Sequence, residues 1–364
     1  MQNITEIFRT YGPEYIERFE DDMPSGHHKA LQAIIQCRTQ VYGMTVYKCQ
    51  GCGQIHHVFR SCGNRHCPQC QHHKTRQWLE KQLDRQVPCP HFLITFTVPE
   101  ELRLFIRSHQ KEGYEAMFHA SSEALKTLAK DPRFLGTDLP GFTGILHTWG
   151  RQLQFHPHIH YIVPGGGLSK DRSEWLASRA GFYVPVKALS PIFRAKFKEQ
   201  MNKAGLLPHI VAKVWEIDWV VNSQAVGNGS TSLKYLAPYV FKVAISNSRI
   251  IKVENRAVTF KYRKHGSARY RSMTLDVMEF IRRFLQHVLP SGFMKVRHFG
   301  FMSPSSNLNA DDIRQLIMKQ TAVVLQKPAE KPDSPLGPYC PDCGGKLVFL
   351  KSILPFYRER QDSG

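Results

Sequence analysis

The chain has 364 residues, enough for two or three domains, and 42% of them are hydrophobic, which is ample for a buried core. Lys and Arg number 49 against 30 Asp and Glu, and this net charge of +19 predicts a polyanionic partner, with nucleic acid favoured over an acidic membrane. The apolar runs are too short to cross a bilayer and the acidic N-terminus does not resemble a signal peptide, so we expect a cytoplasmic protein.

Residues 1–86 are predicted to form an N-terminal zinc-binding domain that also binds nucleic acid. A short helical lead-in precedes a segment rich in Cys and His, from Cys37 to His73, and a helix is expected over 75–86. The nine cysteines are clustered and odd in number, and a reducing cytoplasm disfavours disulfides. Metal binding is therefore the better interpretation.

Two C-x-x-C pairs carry the strongest metal signal. Zinc takes four soft ligands in a tetrahedron, so we predict one structural Zn²⁺ bound by the four cysteines of these pairs: Cys49, Cys52, Cys67 and Cys70. Cys37, Cys62 and His66 lie nearby and are candidates for a second site, although surplus histidine in a basic protein is often solvated surface. Cys340 and Cys343 resemble half of a zinc ribbon without its other two ligands, and we leave open whether they bind metal.

Residues 87–300 are predicted to form an α+β domain in which helices flank an antiparallel sheet. Strands and helices alternate, but several strand pairs are joined by links too short for a parallel crossover. The expected strands are 92–98, 142–149, 156–163, 182–186 and 214–221, with a hairpin over 250–253 and 257–262, and the expected helices are 100–129, 190–203 and 233–244. Residues 301–364 are predicted as a C-terminal tail with a Pro-rich linker at 326–338.

The segment His156–Val163 (HPHIHYIV) predicts a metal site. Alternate side chains of a strand face the same side, so His158 and His160 project together while Ile159 points away. Two imidazoles on one face can bind a divalent ion, although strand histidines are often structural. A hairpin between this strand and the preceding one would place His147 opposite His158, and we predict His147 as the third ligand.

Tyr235 and Tyr239 are four residues apart, which places both phenols on one face of a helix about one turn apart. An aromatic stripe packed on the core is the more common role of this spacing. Here the pair is flanked by three basic residues that suit phosphate, namely Lys234, Lys242 and Arg249. We therefore favour a functional role for the two tyrosines.

The positive charge is concentrated in residues 230–300, which carry 14 basic and 3 acidic side chains against 11 and 8 in residues 1–90. Tyrosines and basic residues alternate in this region, a mixture that suits single-stranded DNA through base stacking and phosphate contact. Besides the three basic residues beside the tyrosines, the predicted DNA contacts are Arg263, Lys264, Arg269 and Arg271. A solvated charged face is the alternative.

Three segments occur in a recognisable order: SCGNRHCPQCQ at 61–71, HTWGRQLQFHPHIHYIVPGGGL at 147–168 and LKYLAPYVFKVAISNSRI at 233–250. Their combination resembles the two-tyrosine rolling-circle transposases of the HUH nuclease superfamily, in particular the IS91 family of insertion sequences. The resemblance extends from about residue 30 to the C-terminal CPDCGG and implies an HUH-type sheet. Pro238 departs from it, because a basic residue is more usual at that position.

The resemblance implies a transposase that nicks and rejoins single-stranded DNA at insertion-sequence ends. His158 and His160 would hold Mg²⁺ or Mn²⁺ against the scissile phosphate. Tyr235 or Tyr239 would attack that phosphate, giving a 5′-phosphotyrosine and a free 3′-hydroxyl. The sequence has no P-loop motif, so a host helicase or the replication machinery would separate the strands. We expect the protein in the bacterial cytoplasm, associated with the nucleoid when it acts.

Two other functions stay open. A plasmid replication initiator or relaxase shares the HUH core, but the zinc region and the long matching segments argue against it. A non-enzymatic zinc-dependent DNA-binding regulator would need only the cysteines and the positive charge. It would leave the histidine and tyrosine motifs unexplained.

Overall fold

The fold is built around one antiparallel sheet. A computed structural model describes residues 3–241, 244–263, 267, 269–321 and 337–355. Within these residues the strands form one seven-stranded sheet and two three-stranded sheets, interleaved in sequence with helices. The predicted α+β class, with an antiparallel sheet flanked by helices, is confirmed.

The N-terminal segment contains helices on either side of a β-hairpin. Its first helix begins with a capping box in which the side chains and backbone N–H groups of Asn3 and Glu6 exchange hydrogen bonds. The helix expected after the cysteines is confirmed, shifted by a few residues. The elements are α1 (Ile4–Phe19), α2 (Ser25–Ile35), β1 (Met44–Cys49), β2 (Ile55–Phe59) and α3 (His72–Asp84).

The middle of the chain supplies most of the large sheet and the helices that cover one of its faces. Its elements are β3 (His91–Thr97), α4 (Arg103–Ser108), α5 (Gln110–Lys130), β4 (Leu139–Trp149), β5 (Phe155–Pro164), β6 (Gly166–Leu168), β7 (Trp175–Ala177), α6 (Val186–Lys203) and β8 (Val220–Ala225). The single helix expected over 100–129 is interrupted at His109, whose backbone dihedrals are not helical.

Two strand predictions in this region are wrong. Residues 182–186 are not a strand, because Pro185 instead serves as the N-cap of α6. Residues 214–219 also lie outside the sheet. A turn closes there through a 3.0 Å hydrogen bond from Trp219 Nε1 to the carbonyl of Val214, so the strand begins only at Val220.

The remaining elements include the predicted tyrosine helix and the predicted hairpin, which gains a third strand. They are α7 (Ser230–Phe241), β9 (Ile250–Glu254), β10 (Ala257–Arg263), β11 (Tyr270–Asp276), α8 (Val277–Leu285), β12 (Val296–Gly300), α9 (Ala310–Thr321) and β13 (Leu347–Ile353). The helical backbone continues through Pro238 for three more residues. Most of the linker predicted at 326–338 lies outside the described residues.

The large sheet has the order β7-β6-β4-β5-β3-β8, and β12 pairs with β4 beside this path. Strict alternation divides its side chains between two faces. One face packs against α5 and α6, as shown by the 2.7 Å hydrogen bond between Tyr161 and Ser121. On the other face Ile145 and Ile162 form an apolar cluster with Leu233 and Leu236 of α7. The helix with the tyrosines therefore lies on the second face.

The three segments predicted from the sequence contact one another. Strand β13, from the C-terminal tail, pairs antiparallel with β1, with Met44 opposite Ile353. Helix α1 packs on α8, where the ring centroids of Phe8 and Phe284 are 4.8 Å apart. The N-terminal elements therefore share pairing and core with residues far along the chain.

The alternation along β5 predicts how strongly its inward residues stabilise the fold. Ile159 is fully buried (0% exposed), so Ile159→Ala should lower the free energy of unfolding by about 2–5 kcal/mol. Leu104 is 75% exposed, and Leu104→Ala should change that free energy by less than about 0.5 kcal/mol. Urea titrations followed by circular dichroism measure both, and equal losses would contradict the assigned faces of β5.

Candidate functional site

The three predicted histidines come together on the sheet face that carries α7. His147 pairs directly with His158 across β4 and β5. The ring centroid of His147 is 5.4 Å from that of His158 and 4.7 Å from that of His160, and the last two are 4.8 Å apart. One nitrogen from each ring lies within 4.8 Å of the others. This spacing allows one metal ion to contact all three imidazoles.

A β-bulge shapes one side of this histidine cluster. The register of β4 and β5 shifts between His147 and Trp149, and Trp149 pairs with Phe155. Pro157 sits in the bulged part of β5, where its missing N–H does not break a ladder hydrogen bond. The indole of Trp149 stacks on the ring of His147, with centroids 5.0 Å apart and planes inclined by 14°. An aromatic surface therefore borders the cluster.

Hydrogen bonds orient two of the rings. His158 Nδ1 donates to the carbonyl of His156 at 2.7 Å, and His160 Nδ1 lies 2.8 Å from Thr95 Oγ1 on β3. With Nδ1 engaged, Nε2 is the nitrogen that serves as a metal ligand. Thr95 was not predicted from the sequence, because its role depends on the pairing of β3 with β5.

The histidines are neutral near pH 7. Burial is the main cause that lowers their pKa values, and it brings the pKa of His158 to about 4. For His147 and His160 burial acts together with the positive charge that neighbouring imidazoles would carry. Because a metal ligand must be an unprotonated imidazole, the cluster is ready to bind a cation without losing protons.

The cluster opens into a cleft of about 690 Å³. Tyr235 lines this cleft and is 60% exposed, although it lies far from the histidines in sequence. Predicted DNA-contacting residues also line it, namely Arg249, Arg263 and Arg271. None of the described lining residues is acidic. The structure therefore joins the histidine motif, one member of the predicted tyrosine pair and part of the basic region in a single positively charged cleft.

Two arginines of this cleft are held in place, one by backbone carbonyls and one by a tyrosine side chain. Arg249 donates from Nη2 to the carbonyl of Arg151 at 2.6 Å and from Nε to that of Lys261 at 2.9 Å. Arg263 lies over the ring of Tyr270 at 4.8 Å and donates to its hydroxyl at 3.2 Å. The Arg249 bonds tie the β9–β11 sheet to the tip of the β4–β5 hairpin, whereas the Arg263 contacts lie within that sheet.

The other predicted DNA-contacting residues and the side chain of Tyr239 lie outside the cleft lining or outside the described residues. Lys234 and Arg269 are exposed but do not line the cleft. Lys242 and Lys264 lie outside the described residues, as does the side chain of Tyr239. The backbone of Tyr239 belongs to α7, one turn beyond Tyr235.

The cysteines form two clusters, and neither is the predicted set. One contains Cys37, Cys62, Cys67 and Cys70. The other contains Cys49, Cys52, Cys340 and Cys343. The prediction of one site from the two nearest C-x-x-C pairs is therefore wrong. Because β13 pairs with β1, the C-terminal C-x-x-C pair lies beside Cys49 and Cys52 and completes a four-cysteine zinc-ribbon site.

The sulfur separations fit tetrahedral zinc. Sγ atoms lie 3.4 Å apart for Cys37 and Cys70 and 3.4 Å apart for Cys49 and Cys343. The distance is 3.8 Å for Cys52 and Cys340. Zn–S bonds of about 2.3 Å place tetrahedral ligands about 3.8 Å apart. A disulfide would require about 2.05 Å, so these contacts are those of metal-binding thiolates rather than disulfides.

His66, a candidate ligand from the sequence, lies outside both cysteine clusters. It is buried, and its Nε2 accepts a hydrogen bond of 3.1 Å from the backbone N–H of Leu289. Its role in the structure is thus to join the cysteine-rich segment to the loop before β12. The prediction that His66 binds metal is not supported by this geometry.

Two family models match the chain: "Transposase zinc-binding domain" over residues 7–98 and "Putative transposase" over residues 141–309. The chain is 37% identical over 320 residues to "Putative transposase y4qJ" of Sinorhizobium fredii, covering 82% of this chain and 80% of the relative. It is 28% identical over 356 residues to "Transposase for insertion sequence element IS801" of Pseudomonas savastanoi pv. phaseolicola, covering 89% and 83%. No solved structure matches the chain at a significant level.

The chain belongs to the IS91 family of transposases. As a transposase it acts on DNA, with the cleavage and strand transfer that transposition requires. The match over residues 7–98 together with the cysteine clusters indicates zinc as a cofactor. Among the helices described, none is both long and apolar enough to cross a membrane.

The cleft of the transposase also contains residues that sequence reasoning missed. Arg151, Gln152 and Gln154 lie at the tip of the β4–β5 hairpin and line the cleft. Their position in the short link between the strand of His147 and the strand of His158 was the sequence feature that could have identified them. This polar, basic hairpin tip between the two histidine-bearing strands adds hydrogen-bonding groups and positive charge to the cleft.

The cysteine grouping predicts the zinc content of the transposase. Purified protein should contain two zinc ions per chain, because each cluster supplies four thiolates. Replacing both Cys340 and Cys343 by Ser should leave one ion, measured by elemental mass spectrometry. Cys89 lies outside both clusters, so Cys89→Ser is the matched control and should retain both ions. Two ions in the double variant would contradict the second cluster.

Proposed function

We propose that the transposase nicks and rejoins single-stranded DNA at the ends of its insertion sequence through a 5′-phosphotyrosine intermediate, as in rolling-circle transposition. The observation that carries this proposal is the shared cleft of the His147–His158–His160 cluster and Tyr235. A nucleophile, a metal-binding face and arginines suited to phosphate are the parts that phosphoryl transfer needs. Family membership supports the same chemistry.

The histidine cluster fits a divalent cation, which we propose to be Mg²⁺ or Mn²⁺. Three neutral imidazoles, two of them oriented by hydrogen bonds, form one coordinating face, and no acidic side chain is among the described residues that line the cleft. The remaining ligand positions are then available to phosphate oxygens and water. When bound there, the ion supplies Lewis-acid stabilisation of the charge that develops on the non-bridging oxygens.

The proposed chemical step begins at the phenol of Tyr235. Its oxygen attacks the scissile phosphorus, a P–Oη bond forms, and the bond between phosphorus and the 3′ oxygen breaks. The phenolic proton passes to water, and the leaving 3′ oxygen takes up a proton from water to become a free hydroxyl, so the step is balanced in protons. The phosphotyrosine keeps the energy of the phosphodiester, so attack by a 3′-hydroxyl can later rejoin DNA without ATP.

A second tyrosine would let one protein hold one DNA end while it cuts another. The backbone of Tyr239 lies one turn beyond Tyr235 on α7, about 5 Å along the axis. A modest movement of the helix would exchange the two phenols at the same phosphate. This supports both as nucleophiles in our proposal.

Arginine and tyrosine side chains beside the cleft are suited to a single strand. Tyr262 and Arg271 pair across β10 and β11 and both line the cleft, while Tyr270 is 59% exposed at the adjacent position. Exposed aromatic rings stack on bases of any sequence, and arginines contact phosphates. We propose that the strand follows this surface and that a host helicase or the replication machinery separates the duplex, since the sequence lacks a P-loop.

The two alternatives fit the observations less well. A replication initiator or relaxase would use the same HUH-type site, but the zinc-binding match and both named relatives are those of transposases. A regulator without enzymatic activity gives no reason for three neutral histidines and an exposed tyrosine in one basic cleft. We therefore assign the cleft to DNA cleavage and strand transfer at element ends.

A covalent-adduct assay tests the proposed nucleophiles. Tyr235→Phe and Tyr239→Phe should each cripple transposition, and the double variant should form no covalent adduct with labelled single-stranded DNA while still binding it. Denaturing electrophoresis detects the adduct, and mass spectrometry maps it. Tyr161, which is fully buried on the other face of the sheet, supplies the control variant Tyr161→Phe, which should still form the adduct. An adduct in the double variant would refute the assignment.

The orientation of His160 by Thr95 predicts a second effect. Thr95→Val removes the 2.8 Å hydrogen bond and should weaken metal binding and metal-dependent cleavage by about 10- to 100-fold. Replacing His158 and His160 by Ala should abolish cleavage and leave DNA binding largely intact. The matched control is Thr143→Val, because Thr143 makes a similar 2.9 Å bond to His298, outside the cluster. Equal effects of the two threonine variants would argue against a metal-binding role for His160.

A further inference from the structure

A second cavity, of about 400 Å³, lies behind the histidine cleft. It is bounded by the cysteine-rich segment through Arg65, by α3 through Trp78 and by α7 through Val240. Trp149 and Lys295 line it from the side of the sheet. Trp149 also lines the histidine cleft, so both spaces border the same indole ring.

Two hydrogen-bond donors at this cavity have no acceptor among the described residues. They are Arg65 Nη2 and Trp78 Nε1, both removed from solvent. The guanidinium of Arg65 is held in place through Nη1, which donates to the carbonyl of Phe293 at 2.7 Å. A buried donor without an acceptor costs about 1–3 kcal/mol. Such donors therefore indicate a ligand rich in acceptors.

The charge of the cavity has the same implication. Arg65 contributes positive charge, and none of the described lining residues is acidic. Burial lowers the pKa of Lys295 to about 7, so an anion bound beside it would favour its charged form. The Lys295 ammonium lies 4.7 Å from the centroid of Trp149. A negatively charged group with several oxygen acceptors would balance this charge and satisfy the two donors.

The lining also contains flat apolar surface. The indole of Trp78 lines the cavity, and aromatic side chains are stacking partners of nucleobases in single strands. A volume of about 400 Å³ is within the range of small-molecule sites and is sufficient for one nucleotide. Anion-binding and base-stacking surfaces therefore occur together.

We infer that this cavity binds one nucleotide of the substrate strand, with its phosphate on Arg65 and Lys295 and its base against the indole of Trp78. The inference rests on the proposed function, because it assumes a single strand in the neighbouring cleft. It adds a subsite in which the zinc-binding region contributes directly to holding DNA beside the histidines. The zinc-binding segment would then help to select the position of cleavage.

Photo-cross-linking of the full-length transposase tests the subsite. The probe is a short single-stranded oligothymidylate in which iodouracil replaces thymine, bound without added divalent ion so that no cleavage occurs. Irradiation joins iodouracil to neighbouring aromatic side chains, and mass spectrometry identifies the peptides. We expect an adduct at Trp78, which lines the cavity but not the histidine cleft, and loss of that adduct in Trp78→Leu, which has no aromatic ring.

Affinity provides the second measurement. Arg65→Gln keeps a donor for the Phe293 carbonyl but removes the charge, and it should weaken binding of the same strand about tenfold or more in fluorescence anisotropy, as for a lost charge-assisted hydrogen bond. Arg76→Gln, at an exposed position of α3 outside the cavity, is the matched control and should change affinity much less. Unchanged zinc content and circular dichroism establish that each variant is folded.

The outcomes separate the inference from the proposed function. Strand binding with adducts only at residues of the histidine cleft, and equal affinities for the two arginine variants, would overturn the nucleotide subsite and leave the cleavage proposal intact. Failure of the wild-type protein to bind the single strand would overturn both.

Discussion

The pairing of β4 with β5 is the constraint on which the rest of the site depends. With His147 opposite His158, the three histidines share a face with Ile145 and Ile162, the residues that bury α7. A register slip of one residue would turn the histidines of one strand toward the apolar core under α5 and α6 and break the cluster. The same register therefore positions the histidine face and the helix that carries Tyr235.

Sequence reasoning could predict this hairpin because the information is local. The H-x-H spacing, the preceding strand and the short link between them determine which side chains meet. The cysteine grouping is different, because Cys49 meets Cys343 across 294 residues of chain. The C-x-x-C spacing identified cysteines as zinc ligands. It could not show which cysteine pairs share an ion, since that depends on the pairing of β13 with β1. Two strand predictions failed for a different reason: the N-cap at Pro185 and the turn closed by Trp219 are local features that override apolar patterning.

The two cysteine clusters have different surroundings and so different structural roles. Cys37, Cys67 and Cys70 belong to one apolar cluster with Trp149 and Leu153, at the tip of the β4–β5 hairpin. Zinc binding there stabilises the region that supports the histidines, because a structural zinc contributes its binding free energy to folding. The other cluster joins Cys49 and Cys52 to the segment before β13, in a three-stranded sheet separate from the large one. Loss of the first should therefore damage the site more than loss of the second.

On the proposed function, the charges in the cleft make metal and DNA binding interdependent. Three neutral imidazoles leave the full charge of a divalent ion uncompensated, and the described lining adds arginines but no carboxylate. The phosphates of the substrate supply the negative charge that the described lining lacks. Each ligand must then strengthen the binding of the other, because a coupling free energy between two sites is reciprocal. The ion is held most firmly when a strand lies in the cleft, and cleavage is thereby tied to the presence of DNA.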